Sequence, residues 1–405
     1  MFNVEPSAFS CHCSFMGTRA VSRLIAAPFS EELVQRTATE MRTELGAPAT
    51  FAVAFISPGY VPQAENFLEL IRLEARVSTV VGCTATGLIG PSTENEHTEG
   101  FSLLLVSAPK AKVHSFSFTP DQVEQYDGPA FWSRFTKLNS ADVKGWLVFA
   151  NPYQIPVDPW IRQWNQTYPG LPAFGGLASM NPQENNAYVL HNNKIEEGGV
   201  LLALEGDITV KSAVSQGCKP IGEPMTVTGA DNNVLITLGS KPAYEVLNGA
   251  YQSLSESERE RAKGHLFAGL ALNEYVDEFK RGDFLVRNIL GADPQTGAVA
   301  IGARARIGQT LQYQLRDASA ASEDLSITLA KTKKSLRQRT PAAGLLCTCL
   351  GRGHELFGAS HHDAGKVEEF FPGLPLAGFF ANGEIGPVGT QNFAHGYTAS
   401  LILFL

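Results

Sequence analysis

The sequence predicts a mixed α/β fold, built from duplicated strand-helix-strand units on large, partly antiparallel sheets. Two observations carry that prediction. A short apolar run, an amphipathic helical stretch, a second apolar run and then a glycine follow one another at several places in the chain. Between these units lie paired apolar runs joined by turn residues, the pattern of antiparallel hairpins.

Ser30 offers the first N-cap, Glu31 and Glu32 fill the first helical turn, and Val34, Ala38, Met41 and Leu45 share one face. Gly46 and Pro48 end that helix. Residues 51–56 form an apolar strand closed by Ser57-Pro58-Gly59. Pro62 then opens a helix with Phe67, Leu68, Ile71 and Ala75 on its core face, and a strand over 77–81 runs into Gly82. The order returns as a strand over 145–150, a helix over 158–166 capped by Asp158, and Ala173-Phe174 leading to Gly175-Gly176. It returns again as a strand over 345–350, a helix over 363–371 capped by Asp363, and a strand over 374–377 leading to Gly378.

Residues 188–191 and 199–204 flank an Asn192-Asn193 turn, with a further strand over 208–215. Residues 284–290 turn at Asp293-Pro294 into 298–303, and a strand over 310–316 follows. The longest helical stretch, 318–338, bridges these hairpins to the last unit.

The repetition extends to letters. Tyr168-Pro169-Gly170-Leu171-Pro172 parallels Phe371-Pro372-Gly373-Leu374-Pro375, and the ten residues from Val81 to Gly90 parallel those from Ala377 to Gly386. Two such matches point to internal duplication. With 405 residues the chain exceeds one ordinary core. The expected division is an N-terminal segment over 1–20, a first domain over 21–215 and a second over 216–405.

Composition excludes several classes. Apolar residues at 44% against 18% charged argue against disorder, and a net charge of −8 leaves no basic stripe for nucleic acid. No apolar run approaches the roughly 20 residues of a membrane helix, and the first residues lack the pattern of a signal peptide. Six sparse cysteines without a CxxC pair suit reduced thiols, so a cytoplasmic location is expected.

Catalytic templates are missing: there is no GxSxG elbow, Walker GxxxxGK[ST], HExxH or strand-linked GxGxxG. An enzyme is therefore the alternative reading, a transferase or hydrolase using Cys349 with His354 or His395 as base. His354, His361 and His362 cluster without zinc spacing, and Cys11-His12-Cys13 lies in a frayed start, so no metal site is expected.

Three stretches together resemble the FIST N-terminal and C-terminal regions. The first is Val81-Gly82-Cys83-Thr84-Ala85-Thr86-Gly87-Leu88-Ile89-Gly90, with the acidic run from Glu94 to Glu99 and the strand after it. The second runs from Phe174-Gly175-Gly176 through Gly198-Gly199-Val200 to Ser215-Gln216-Gly217-Cys218-Lys219-Pro220-Ile221-Gly222. The third joins Cys349-Leu350-Gly351-Arg352-Gly353 to residues 371–386 and Asn392-Phe393. The resemblance implies an intracellular signal-transduction or sensory module that holds a small ligand or a signalling protein partner. It also implies kinship with the FIST region of F-box proteins, although no F-box-like helical region is read ahead of it here. Some family members are linked to haem and nitric oxide sensing, for which His361 would be the ligand; otherwise no cofactor is expected.

The ligand site is expected where strands end at glycine turns near the C-terminus. Cys349, Gly351, Arg352, Gly353 and His354 supply backbone amides, a thiol and a guanidinium fork for a carboxylate. Asn382, Gly383 and Glu384 add an amide and an acid, and Phe357, Phe379 and Phe380 an apolar wall. The guanidinium would also lower the Cys349 thiol pKa and make it the reactive cysteine. An amino acid or another small anion suits such a cleft. The competing reading buries Arg352 against a structural acid.

Overall fold

The computed structural model describes residues 17–180, 187–262 and 264–405; the Cys11-His12-Cys13 stretch lies outside them. The fold is mixed α/β, with three six-stranded sheets and a small barrel.

The first unit runs β1 (Arg19–Ile25), α1 (Glu31–Leu45), β2 (Phe51–Ile56), α2 (Ala64–Glu74), β3 (Val80–Thr84), a hairpin of β4 (Leu88–Gly90) and β5 (Thr93–Asn95), and β6 (Phe101–Ser107). Its strands lie in the order β1-β6-β2-β3, with β2 and β3 parallel. Ser30 does cap α1, its hydroxyl accepting the Leu33 N–H, and Gly46 at φ 62° ends it. Pro62 sits inside a 3-10 turn over Pro58–Gln63, so α2 starts two residues beyond it.

The second unit repeats the plan. It runs β7 (Ala111–Phe118), α3 (Pro120–Glu124), α4 (Phe131–Thr136), β8 (Val143–Ala150), α5 (Val157–Thr167), β9 (Ala173–Leu177), a hairpin of β10 (Val189–His191) and β11 (Lys194–Glu196), and β12 (Gly199–Gly206). The strand order β7-β12-β8-β9 matches the first, again with one parallel pair. Asp158 lies in the first turn of α5 and Pro156 holds the cap position. The Asn192-Asn193 turn joins β10 to β11, not to β12, because β12 belongs to another sheet.

The third unit begins with β13 (Val210–Gln216), and a barrel is inserted before it continues. The barrel holds β14 (Cys218–Pro220), β15 (Met225–Asp231), β16 (Val234–Leu238), β17 (Lys241–Pro242), α6 (Ala243–Gln252), α7 (Glu256–Ala262), β18 (Leu266–Ala271), β19 (Phe284–Ala292), β20 (Val299–Ile301) and β21 (Thr310–Arg316). Pairing of β21 with β18 closes it. The unit then resumes with α8 (Ala318–Ser335), β22 (Ala343–Cys349), α9 (His354–Phe357), α10 (His362–Phe370), β23 (Leu376–Ala381), a hairpin of β24 (Glu384–Val388) and β25 (Gln391–His395), and β26 (Thr398–Phe404). The order β13-β26-β22-β23 is the same once more. The structure thus repeats three times, where the letter matches alone suggest twice.

The repeats exchange hairpins in a ring. The first unit's β4 pairs with β23 of the third, the third's β24 pairs with β9 of the second, and the second's β10 pairs with β3 of the first. In each parallel pair a glycine faces backbone. A Cβ on Gly82, Gly175 or Gly378 would stand 1.7, 1.9 or 2.0 Å from the carbonyl oxygen of Ala54, Val148 or Leu346. That approach explains the recurring strand-helix-strand-glycine order.

Inner faces of the three sheets share one core, in which Phe55 meets Phe149 and Phe379 at 5.4 and 4.4 Å between ring centroids. Outer faces are covered by helices through Val34, Phe67 and Ile71, through Trp132, Trp160 and Trp164, and through Leu325 and Val367. Among the described residues no helix is long and apolar enough to cross a membrane.

Candidate functional site

β22 delivers Cys349 to a turn, Leu350 to Gly353, that leads into α9. Arg352 folds back from this turn and is 1% exposed. Its Nε and Nη2 donate to Asp363 Oδ2 and Oδ1 at 2.6 and 2.9 Å. Thr348 Oγ1, at 2.6 Å, and His362 Nδ1, at 2.9 Å, also contact the Asp363 carboxylate. Burial pushes that carboxyl upward, yet Arg352 and these hydrogen bonds hold it well below the usual range. The Arg352 guanidinium also lies over the Phe357 ring, 5.2 Å from its centroid.

This corrects two expectations. Asp363 does not cap α10; Glu94 of the first unit does, its Oε1 accepting the Ala364 N–H at 2.8 Å. Arg352 does not present a free fork, because a buried acid takes two of its three nitrogens. Its Nη1 is buried with no partner. A Cβ on Gly217 would stand 3.1 Å from that nitrogen, so Nη1 faces the stem of the barrel.

Glu384 is fully buried beside this group. Its Oε2 accepts from the amide and hydroxyl of Thr398, whereas Oε1 has no partner. Burial pushes the carboxyl up to about 8, against the pull of Thr398 and Arg352. Register exposes how unusual the residue is. Glu384 pairs with Gly176 as Leu88 pairs with Phe379 and Val189 with Cys83, so two exchanged hairpins put an aliphatic residue where the third puts a carboxyl.

Cys349 is the remaining polar member, and its Sγ accepts the Gly351 N–H at 3.5 Å. Burial pushes the thiol up to about 12 and Glu384 adds to the rise, outweighing the Gly351 and Tyr397 amides and Arg352. The expected activation by Arg352 is thereby overturned: desolvation of a thiolate exceeds the attraction of a guanidinium already neutralised by Asp363.

Residues outside the predicted ligand site complete the seam with the barrel. Arg316, at the end of β21, donates through Nη1 to the Gly351 carbonyl at 3.4 Å and leaves its Nε without a partner. Cys218 of β14, Phe267 and Tyr397 pack together, with the Phe267 and Tyr397 rings 4.1 Å apart. Of these only Cys218 carried a sequence signal, as a member of the second signature stretch beside Gly217.

The other predicted residues fall elsewhere. Phe379 belongs to the central core, and Phe380, on the opposite face of β23, packs over Gly87 and Gly353; neither walls a cleft. Asn382 is exposed, and Gly383 at φ 130° forms the turn that accepts the Leu177 N–H. His354 is exposed, its amide held by both oxygens of Glu96. It lines a hollow of about 400 Å³ with Glu94, Asn95, Glu96, His97, Thr98 and Ser360. His361 Nδ1 accepts the Glu94 N–H, and His362 places one ring nitrogen at Asp363 and the other at Ser322. Among the described residues no three His, Cys, Asp or Glu side chains are grouped to hold a metal.

Comparison with known proteins shows the family of the chain. The FIST N domain matches residues 50–241 and the FIST C domain residues 243–387. The uncharacterized protein Rv0628c of Mycobacterium tuberculosis is 35% identical over 382 residues, covering 94% of this chain and 97% of that protein. Mb0898c of Mycobacterium bovis is 33% identical over 379 residues, covering 93% and 96%. The human F-box only protein 22 is 39% identical over a 74-residue segment, 16% of this chain and 18% of that one.

Proposed function

Because the chain belongs to the FIST family, whose domains commonly serve as sensory or signalling modules, we propose that it senses a small polar ligand held between Arg352 and Glu384. One observation carries this reading: Arg352 Nη1 and Glu384 Oε1 are buried polar atoms without partners, on two side chains that act on each other electrostatically. Leaving such atoms unpaired costs about 1–3 kcal/mol each, and more when charged. The register adds weight, because a carboxyl at a position that is Leu88 and Val189 in the sister hairpins disfavours folding unless something uses it.

The ligand chemistry follows from the two orphans. Nη1 requires an acceptor such as a carboxylate, and Glu384 suits an ammonium that would favour its ionised form. A free α-amino acid carries both groups. Its entry at the seam between β22 and the barrel would be felt by Arg316 and Tyr397, which link the two bodies, and a signalling partner would read the resulting change.

The test is thermal unfolding against a panel of α-amino acids, with simple carboxylates and amines as controls. Saturation at a hundredfold excess over Kd stabilises by about 2.7 kcal/mol, enough for a shift of a few degrees. Amino acids should stabilise the wild type and leave Glu384→Leu unmoved. A wild type indifferent to the whole panel defeats the proposal.

A further inference from the structure

At the far end of α8 from the seam lies an open groove of about 290 Å³. Leu336, Phe370, Phe371 and Leu374 form its floor, and Lys333, Arg337 and Arg339 stand at its rim. Within residues 331–339 the chain carries five cations, Lys331, Lys333, Lys334, Arg337 and Arg339, and no acid, although its net charge is −8. All five are exposed, and none forms an ion pair among the described residues.

The matching place in the second unit is closed. There the Tyr168 ring packs on Trp164 at 4.7 Å, and Asn392 of the exchanged hairpin accepts the Ala173 N–H at 2.8 Å and donates to the Leu171 carbonyl at 3.0 Å. The equivalent Phe371 to Pro375 turn borders the open groove instead.

An occupant must bring acid and an apolar anchor, and the molecule's own surface displays both. The barrel loop Asn273 to Gly282 carries Glu274, Asp277 and Glu278 around Tyr275, which is 95% exposed. Lys280 pairs with Glu278 and Arg281 with Glu323, so the loop tip stays acidic. The loop is pinned to the start of α8, where Arg281 Nη1 donates to the Ala320 carbonyl at 3.2 Å. Loop and groove are thus anchored near opposite ends of one 18-residue helix, roughly 27 Å long at a 1.5 Å rise per residue. They cannot meet within one chain.

We infer that the basic groove beside Leu336 and Phe371 receives the Tyr275 loop of a second copy of this chain, giving head-to-tail association. Tyr275 fills the apolar floor as an aromatic anchor, and Glu274 and Asp277 face Lys333, Arg337 and Arg339. The contact is heterologous, so an assembly of two copies keeps a free loop at one end and a free groove at the other.

Sedimentation velocity of the full chain over a range of concentrations tests this. Mass should rise with concentration at low ionic strength and fall back at high salt, since the paired charges are exposed. Tyr275→Ser and the double variant Arg337→Glu, Arg339→Glu should each weaken association at least tenfold with unchanged thermal transitions. Mixed together, the two variants retain one working loop and one working groove, and should form dimers that grow no further. A monomeric wild type at every concentration overturns the inference. So does association that both variants leave intact, or a mixture that remains monomeric.

Discussion

The second and third units are built on one frame and close it differently. Three residues beyond the carbonyl that faces the crossover glycine, the units carry Ser57, Asn151 and Cys349. Ser57 Oγ accepts the Gly100 N–H at 2.9 Å. Asn151 is satisfied at both ends, donating to the Ala187 carbonyl at 2.6 Å and accepting the Tyr153 N–H at 2.9 Å. Around Cys349 the accounts do not close, because Arg352 Nη1, Glu384 Oε1 and Arg316 Nε are left over. Unpartnered atoms occur in the other units too, among them Ser22 Oγ and Trp164 Nε1, but at this equivalent position Ser57 and Asn151 find partners within the chain, whereas around Cys349 a guanidinium and a carboxyl are left over together.

The sharpest way to break the comparison is to remove Arg352. Arg352→Ala strands the buried Asp363 carboxylate and should destabilise the protein by about 3–5 kcal/mol in denaturant titration. A loss under about 1 kcal/mol would mean that the pair is as dispensable as a surface ion pair.

A smaller effect concerns pH. Glu384 is raised to about 8 in the folded chain, and Glu94 to about 7 by burial and the nearby Asp363. A group whose folded pKa is raised binds its proton more tightly when folded. The stability these two groups contribute is therefore full below about 4.5 and is lost as pH rises toward 8. Glu384→Gln should flatten the fall between pH 5 and 8 by about 1.4 kcal/mol per pH unit while leaving the Glu94 contribution. An unchanged slope would remove Glu384 from the account.

The smallest effect separates the sister positions. Ser57→Ala removes one satisfied hydrogen bond and Asn151→Ala two, and each should cost about 1–3 kcal/mol. Cys349→Ala should cost about 1 kcal/mol, the worth of a small half-buried side chain, and labelling of Cys349 by alkylating reagents should be slow in the folded wild type because its thiol pKa is raised.

Much of the frame was legible. Apolar periodicity located α1, β2, β8 and β22, and the glycines at 82, 175 and 378 marked every crossover. The Phe371 to Pro375 match with Tyr168 to Pro172 identified equivalent turns. What failed was local reasoning about charged residues. Asp363 has the position of a helix cap and the role of a buried counterion, and Glu94 reads as part of an acidic surface run yet caps a helix some 270 residues away.

Sequence by itself determined the repeated unit, because strand periodicity, helix caps and backbone-contact glycines are properties of neighbouring residues. Tertiary structure alone decided that there are three sheets, since each receives its last hairpin from a different unit and no residue within β4, β10 or β24 names its distant partner. It also decided which polar atoms would be left over. Glu384 differs from Leu88 and Val189 only in its side chain, and that difference has a cost only after the exchanged hairpin has carried it out of water.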